Sequence, residues 1–267
     1  MKSIATSAAD KLLVELGITD RSDLVRIEDI AWACGALVRY DLLTGAEARV
    51  ATYGDHAIIT ISTAVRDERR RRFAVAHEIG HLRLNRHGGG LVFCLAADLD
   101  PGETGGRRGD EEGELDANTF AAVLLMPTAL FRPRCRLVKP SLDLVRRLAE
   151  EFDTSLAATA RRFVECTDEA CAIVYSVGGR IRWFHPSKDF GETGFFIPVG
   201  EKLDSYSLAS SFFEGKRVPV RAEHVDASTW FAPGRFRQDG LILEHSLAMP
   251  AHDAVITLLW VDQDIGW

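Results

Sequence analysis

The sequence predicts an α+β fold. Three observations carry that reading: apolar residues recur at helical spacing through most of the chain up to Cys166, a short β-branched segment interrupts them between Leu37 and Ile61, and β-flavoured runs dominate from Ala172 onward.

In chain order, Thr6 to Gly17 has helical spacing through Ala8, Leu12, Leu13 and Leu16, with Gly17 as a natural stop. Asp23 to Ala36 repeats the pattern through Leu24, Ile27, Ile30, Ala31 and Cys34, with Gly35 near its end. Leu37 to Ile61, punctuated by Gly45 and Gly54-Asp55, reads as a small antiparallel sheet whose clearest strand is His56 to Ser62. Val65 to Leu84 is strongly helical, and the breaker run Gly88-Gly89-Gly90 and a mobile, Gly-rich, charged loop from Asp98 to Gly113 follow. Glu114 to Met126 is apolar on nearly all sides after Ala117, as in a helix buried round most of its circumference, and Pro127 closes it. Ser141 to Phe152 and Ser155 to Cys166 form a helical pair. Strands are expected at Ala172–Val177, Arg180–Phe184, Leu241–Ala248 and Ala254–Val261, with Gly178-Gly179 turning a hairpin. The change of character near Thr167 divides the chain into expected domains 1–135, 136–168 and 169–267.

Composition bounds the chemistry. The chain has 267 residues, 46% hydrophobic and 27% charged, with 32 basic against 39 acidic side chains. A fold of this length removes roughly three quarters of its unfolded surface from water, so it does not depend on metal or disulfide staples. A metal site in it is therefore expected to do chemistry. The apolar stretch Ala254 to Val261 falls far short of the roughly 20 residues that cross a bilayer. Lys2, Asp10, Lys11 and Glu15 break the apolar centre that a secretory signal needs, so the expected location is the cytoplasm with no membrane partner. Five scattered cysteines without a C-x-x-C spacing read as reduced thiols. A net charge of -7 disfavours a surface given over wholly to nucleic acid.

His77-Glu78-Ile79-Gly80-His81 is an H-E-x-x-H motif. Residues four apart lie one turn apart on one helix face, so two imidazoles can grip one Zn²⁺ while Glu78 points beside it. Phe73, His77, His81 and Leu84 fall on one stripe, which places both histidines on the inward face. A catalytic zinc needs a third protein ligand, and Glu114, opening the buried helix, is the best candidate. Asn118, four residues on, is placed to accept a hydrogen bond from the free ring nitrogen of a ligand histidine. Small residues at Ala117, Ala121 and Ala122 let the two helices approach. Asp110, Glu111, Glu112 and Asp116 compete with Glu114, as does His87, whose reach back to the metal would want a glycine where the chain has Leu84. The residue that would stabilise an oxyanion is not legible among Tyr53, His87, Tyr175 and His185.

The stretch Arg72 to His81, R-F-A-V-A-H-E-I-G-H, and Glu114 to Pro127, E-L-D-A-N-T-F-A-A-V-L-L-M-P, together resemble the ImmA/IrrE-type metallopeptidases. There the motifs read R-F-x-x-A-H-E-x-G-H and E-x-E-A-N-x-F-A-x-x-L-L-M-P. Asp116 replaces the usual second Glu, at a position not expected to bind metal. The resemblance covers roughly residues 5 to 130. It implies a gluzincin-like core with His77, His81 and Glu114 as zinc ligands and Glu78 as catalytic acid and base; imidazole and carboxylate ligands also accept Mn²⁺.

Ser141 to Phe163 is similar to the helix-turn-helix segment of many members, although Glu150, Glu151 and Asp153 beside Arg161 and Arg162 favour a helical pair packing on the core over DNA contact. The arginines at 66 and 69–72 read as a solvated face, one or two of them pairing with Asp67, Glu68 or the loop acids. From Ala172 to Trp267 the order of elements resembles the GAF-like, mixed α/β tail of the radiation-response members. The resemblance implies a zinc endopeptidase whose protein substrate is an XRE-type helix-turn-helix repressor, acting in a stress-response, mobile-element or toxin-antitoxin circuit. The alternative is a non-proteolytic metal-binding regulator or sensor, against which the presence of Glu78 argues, because metal binding alone does not need it.

Overall fold

A computed structural model describes residues 3–24, 26–84, 91–94, 111–136, 139–231 and 240–261, the side chains of 91–94 and 111 excepted. The expected breaker run Gly88-Gly89-Gly90 and the loop residues 98–110 lie outside this set. The chain divides into two compact units, Met1–Phe131 with Glu150–Ala158, and Arg132–Ala149 with Thr159–Trp267.

In the first unit, helix α1 (Ile4–Glu15) starts where the Ser3 hydroxyl accepts the Thr6 N–H at 3.1 Å, and it buries Ala5, Ala9, Leu12 and Leu13. The single helix expected from Asp23 is instead a 3-10 turn, Arg21–Leu24, followed by α2 (Ile27–Ala33). The reason is local: the Asp23 carboxylate turns back to accept the N–H groups of Thr19 and Asp20, both at 3.0 Å, an arrangement that competes with a continuous helix.

Strands β1 (Ala36–Asp41), β2 (Ala48–Tyr53), β3 (His56–Ser62) and β4 (Leu91–Cys94) form a sheet in the order β1-β3-β2-β4. Gly54, at φ +58°, turns the β2–β3 hairpin. The expected all-antiparallel sheet is corrected here, because β1 runs parallel to β3, Ala36 opposite Ala57. Alternation records which face a side chain takes but not which strand lies beside it. Ala36, Ala48, Val50, Ala57, Ile59 and Ile61 supply the buried face.

Against that core lie α3 (Glu68–Arg83) and α4 (Glu111–Leu125). The Asp67 carboxylate caps α3 by accepting the Arg70 N–H at 2.8 Å. Every residue from Ala74 to His81 is buried, polar ones included. Helix α4 packs on α3, buries Phe120, Ala121, Val123, Leu124 and Leu125, and begins about one turn before the expected Glu114.

Helices α5 (Thr128–Cys135), α6 (Leu142–Phe152) and α7 (Leu156–Cys166) follow, and the division between the units falls within each. The second unit holds an antiparallel sheet of β5 (Cys171–Val177), β6 (Arg180–Pro186), β7 (Glu223–Asp226), β8 (Leu241–Met249) and β9 (Ala254–Trp260), in the order β6-β5-β9-β8-β7. Gly178 and Gly179, both at positive φ, turn the β5–β6 hairpin. Two short helices, α8 (Lys188–Glu192) and α9 (Ser210–Phe213), complete it. Its core includes Val174, Phe190, Trp230, Ile242 and Leu259. Within that core the Glu244 carboxylate accepts from the Ala209 N–H, the Trp230 indole and the Ser246 hydroxyl, each at 2.8 Å, which ties the α9 approach and Trp230 to β8.

Among the described residues no helix is long and apolar enough to cross a membrane. Cys135, Cys166 and Cys171 are buried free thiols, and burial pushes Cys135 up to about 12, which leaves it a poor nucleophile.

Candidate metal centre

The helix period puts His77 and His81 one turn apart on α3, both fully buried. Their Nε2 atoms face each other at 2.9 Å. From α4, the Glu114 carboxylate reaches both, with Oε2 3.1 Å from His77 Nε2 and Oε1 3.4 Å from His81 Nε2. Two ligands each about 2.1 Å from a tetrahedral ion lie about 3.4 Å apart, so this triangle has nearly the edge lengths of one face of a zinc tetrahedron. Two imidazoles and a carboxylate are also the donor set that zinc accepts. Among the described residues this is the one group of three or more His, Cys, Asp or Glu side chains that converges in this way.

Two features of the sequence make the convergence possible. Gly80 lies where α3 meets α4: a Cβ there would stand 3.1 Å from Phe120 Cδ1 and 3.2 Å from the Cα and carbonyl oxygen of Ala117. Hydrogen at that position lets the two backbones close until Glu114 reaches the histidines. Asn118 lies one turn beyond Glu114 on α4, and its Oδ1 stands 3.0 Å from His77 Nδ1. An amide oxygen only accepts, so this contact places a proton on Nδ1 and leaves Nε2, the ring nitrogen that faces Glu114 and His81, as the one a metal would take.

Electrostatics agree with the geometry. Burial alone would push the Glu114 carboxyl up, but hydrogen bonds and charge from His77 and His81 outweigh it and hold it at about 2. Glu114 is therefore an anion throughout the physiological range. Glu78, between the histidines on α3, is fully buried.

Of the competing acids, Glu112 is exposed and Asp116 half-buried, and neither joins the cluster. Asp110, His87 and the Glu111 side chain lie outside the described residues. Tyr53 is 89% exposed at the end of β2, whereas Tyr175 stacks on Trp183 and His185 pairs with Glu165 at 3.3 Å in the second unit.

One residue that supports α3 was misread in the sequence. Arg72, expected on a solvated face, is only 8% exposed, and its guanidinium donates to the carbonyls of Leu24 at 2.8 Å and Asp153 at 3.0 Å and to Asp153 Oδ2 at 3.0 Å. Its position five residues before His77 ties the histidine-bearing helix to the 3-10 turn and to the α6–α7 corner. Of its neighbours, Arg71 pairs with Glu68 as expected, whereas Arg69 pairs with Asp153 and Arg70 with Glu47, acids distant in sequence.

A helix bearing H-E-x-x-H, with a glutamate on a second helix closing the triangle, defines a gluzincin-like metallopeptidase core. The chain matches the family model described as the IrrE N-terminal-like domain, peptidase family M78, over residues 24–164, and it belongs to that family. A search of curated proteins finds no significant match. Among solved structures, a transcriptional regulator from Mycobacterium tuberculosis is similar in fold, with a TM-score of 0.61 at 13% identity, covering 96% of this chain and 76% of that one.

Proposed function

We propose that the chain is a zinc-dependent endopeptidase that cleaves a helix-turn-helix repressor. The observation that carries the catalytic part is a triangle of buried His77 and His81 with half-buried Glu114, and Glu78 on the same helix as the histidines. Zn²⁺, or Mn²⁺ in its place, held by those three residues would supply Lewis acidity to a scissile carbonyl and lower the pKa of a water.

Each side chain then has a defined task. Glu78 takes the proton from the attacking water and passes it to the departing amine, so the same carboxyl serves as base and then acid. Asn118 holds His77 in the Nδ1–H tautomer, and Glu114 keeps a permanent negative charge beside both imidazoles. Burial of both rings removes competing water from their faces.

A protein substrate is favoured over DNA by the two arginines that a groove-binding helix would present. Arg162 is buried and donates to Glu165 at 3.0 Å, and Arg161 lies over the Trp183 ring at 5.3 Å. Both are engaged within the second unit. We place the activity in the cytoplasm, in a stress-response, mobile-element or toxin-antitoxin circuit.

Coexpression with the helix-turn-helix repressor encoded beside it tests the reading. Wild type should convert the repressor to two fragments, and Glu78→Gln, with its zinc retained, should leave it intact because proton transfer by such a group is worth about 10² to 10⁴ in rate. Intact repressor with zinc-loaded wild type would overturn it, and a gel shift of operator DNA by Glu78→Gln would instead support a non-proteolytic regulator.

A further inference from the structure

The second unit contains a half-open cleft of about 360 Å³ that the peptidase chemistry does not use. It lies between the first turn of α6, the segment from Phe212 to Val220, and the distal half of β8. Its volume falls in the range of small-molecule sites, about 300 to 1,000 Å³.

The walls divide by chemistry. Phe212, Val218, Pro219 and Leu247, all half-buried, form an apolar side. Arg146, Lys216 and Arg217 stand against one acid, Asp143. Arg146 is already engaged with Asp143 at 3.1 Å, and Lys216 with Glu214 at 2.6 Å. Arg217 forms no ion pair with any described residue. Among the described residues the cleft therefore carries a guanidinium without a carboxylate at the edge of an apolar wall.

The site is also held in shape. His245, 7% exposed on β8, accepts the Leu142 N–H at Nδ1 at 3.1 Å, and its ring donates to the Val220 carbonyl. One buried ring thus fixes two of the three walls to the third, so a ligand need not order them on arrival.

We propose that this cleft binds a small organic anion, a carboxylate or sulfonate on an aromatic or branched apolar body, with the acid group on Arg217 and the body against Phe212, Val218 and Leu247. A planar guanidinium offers paired donors that match such an acid group. A ligand without charge would leave Arg217 unanswered. A larger polyanion would not enter a cleft of this volume. The inference stands apart from the peptidase reading, since no residue in it belongs to the metal centre.

Calorimetric titration of the full chain with 2-naphthoate and its neutral isostere 2-naphthamide tests it. The expected result is a single saturable site for 2-naphthoate, with binding weakened about tenfold or more both in Arg217→Ala and on changing the probe to the amide, as loss of a charge-assisted hydrogen bond requires. Val218→Trp, which fills the apolar side while leaving Arg217 in place, should abolish binding of both probes. Arg217 is exposed, so its replacement leaves the fold intact. Absence of saturable 2-naphthoate binding would overturn the proposal, as would equal affinity in Arg217→Ala or binding that survives Val218→Trp.

Discussion

Replacing Gly80 by alanine tests whether the approach of α3 and α4 positions the metal ligands. The added methyl would lie 3.2 Å from two backbone atoms of Ala117 and 3.1 Å from the Phe120 ring, where ordinary contact begins at 3.4 Å. A ring edge can turn aside. The Ala117 backbone cannot, so α4 must retreat by a few tenths of an ångström, and it carries Glu114 about one turn before that point and Asn118 directly after it. Metal sites tolerate about 0.2 Å of misplacement, and disturbing the groups that orient ligands costs about ten- to hundredfold in metal affinity. Overpacking costs about 1–3 kcal/mol and the helix propensity of alanine returns about 1, so the net loss of stability is about 0–2 kcal/mol, or a few degrees in Tm. Gly191 in α8 provides the control, because a Cβ there meets nothing within 4 Å, and Gly191→Ala should stabilise by about 0.4–1 kcal/mol. Zinc affinity from chelator competition and Tm from thermal unfolding are the assays. Zinc affinity in Gly80→Ala within about twofold of wild type, together with a stability gain like that of Gly191→Ala, would refute the argument, since a real retreat of α4 should cost about tenfold or more.

Three further outcomes are expected. Asn118→Ala should weaken zinc binding about tenfold or more while leaving Tm of the zinc-free protein nearly unchanged, because it releases the His77 ring without opening the core; chelator competition reads it. Arg72→Ala should destabilise by about 2–4 kcal/mol in thermal unfolding by stranding buried acceptors, and Arg72→Lys should recover less than half, since an ammonium cannot match the guanidinium's spread of donors. Burial, the foremost cause, holds His245 below its ordinary 6.5; a depressed folded value means that the neutral ring contributes stability above pH 6.5 and loses it as pH falls through the folded pKa. The Tm advantage of wild type over His245→Ala should therefore shrink on acidification below 6.5.

The His77–His81–Glu114 cluster is the most legible part of the chain because its information is local. Four-residue spacing places His77 and His81, and the small residues Ala117, Ala121 and Ala122 announce a helix that can come close, which points to Glu114 and Asn118. What was not legible depends on partners distant in sequence. The β-branched and aromatic character of Leu37 to Ile61 marks a sheet, with His56–Ser62 its clearest strand, but not the parallel pairing of β1 with β3. Arg72 looks like its exposed neighbours in a basic run, and only the α6–α7 corner, where Asp153 takes φ +51°, reveals it as a buried clamp. Helix α5 contains Pro133, which by itself argues against a helix at that point. Helices α8 and α9 and strand β7 are too short to show a period.

Zinc content measured by elemental mass spectrometry on the purified chain and its variants tests the central claim most directly. The account predicts about one ion per chain in wild type and in Glu78→Gln, and almost none in His77→Ala, His81→Ala or Glu114→Ala, because three ligands are needed while Glu78 is not one of them. Wild type without zinc at micromolar free metal, or a Glu114→Ala protein that keeps its full complement, would contradict it.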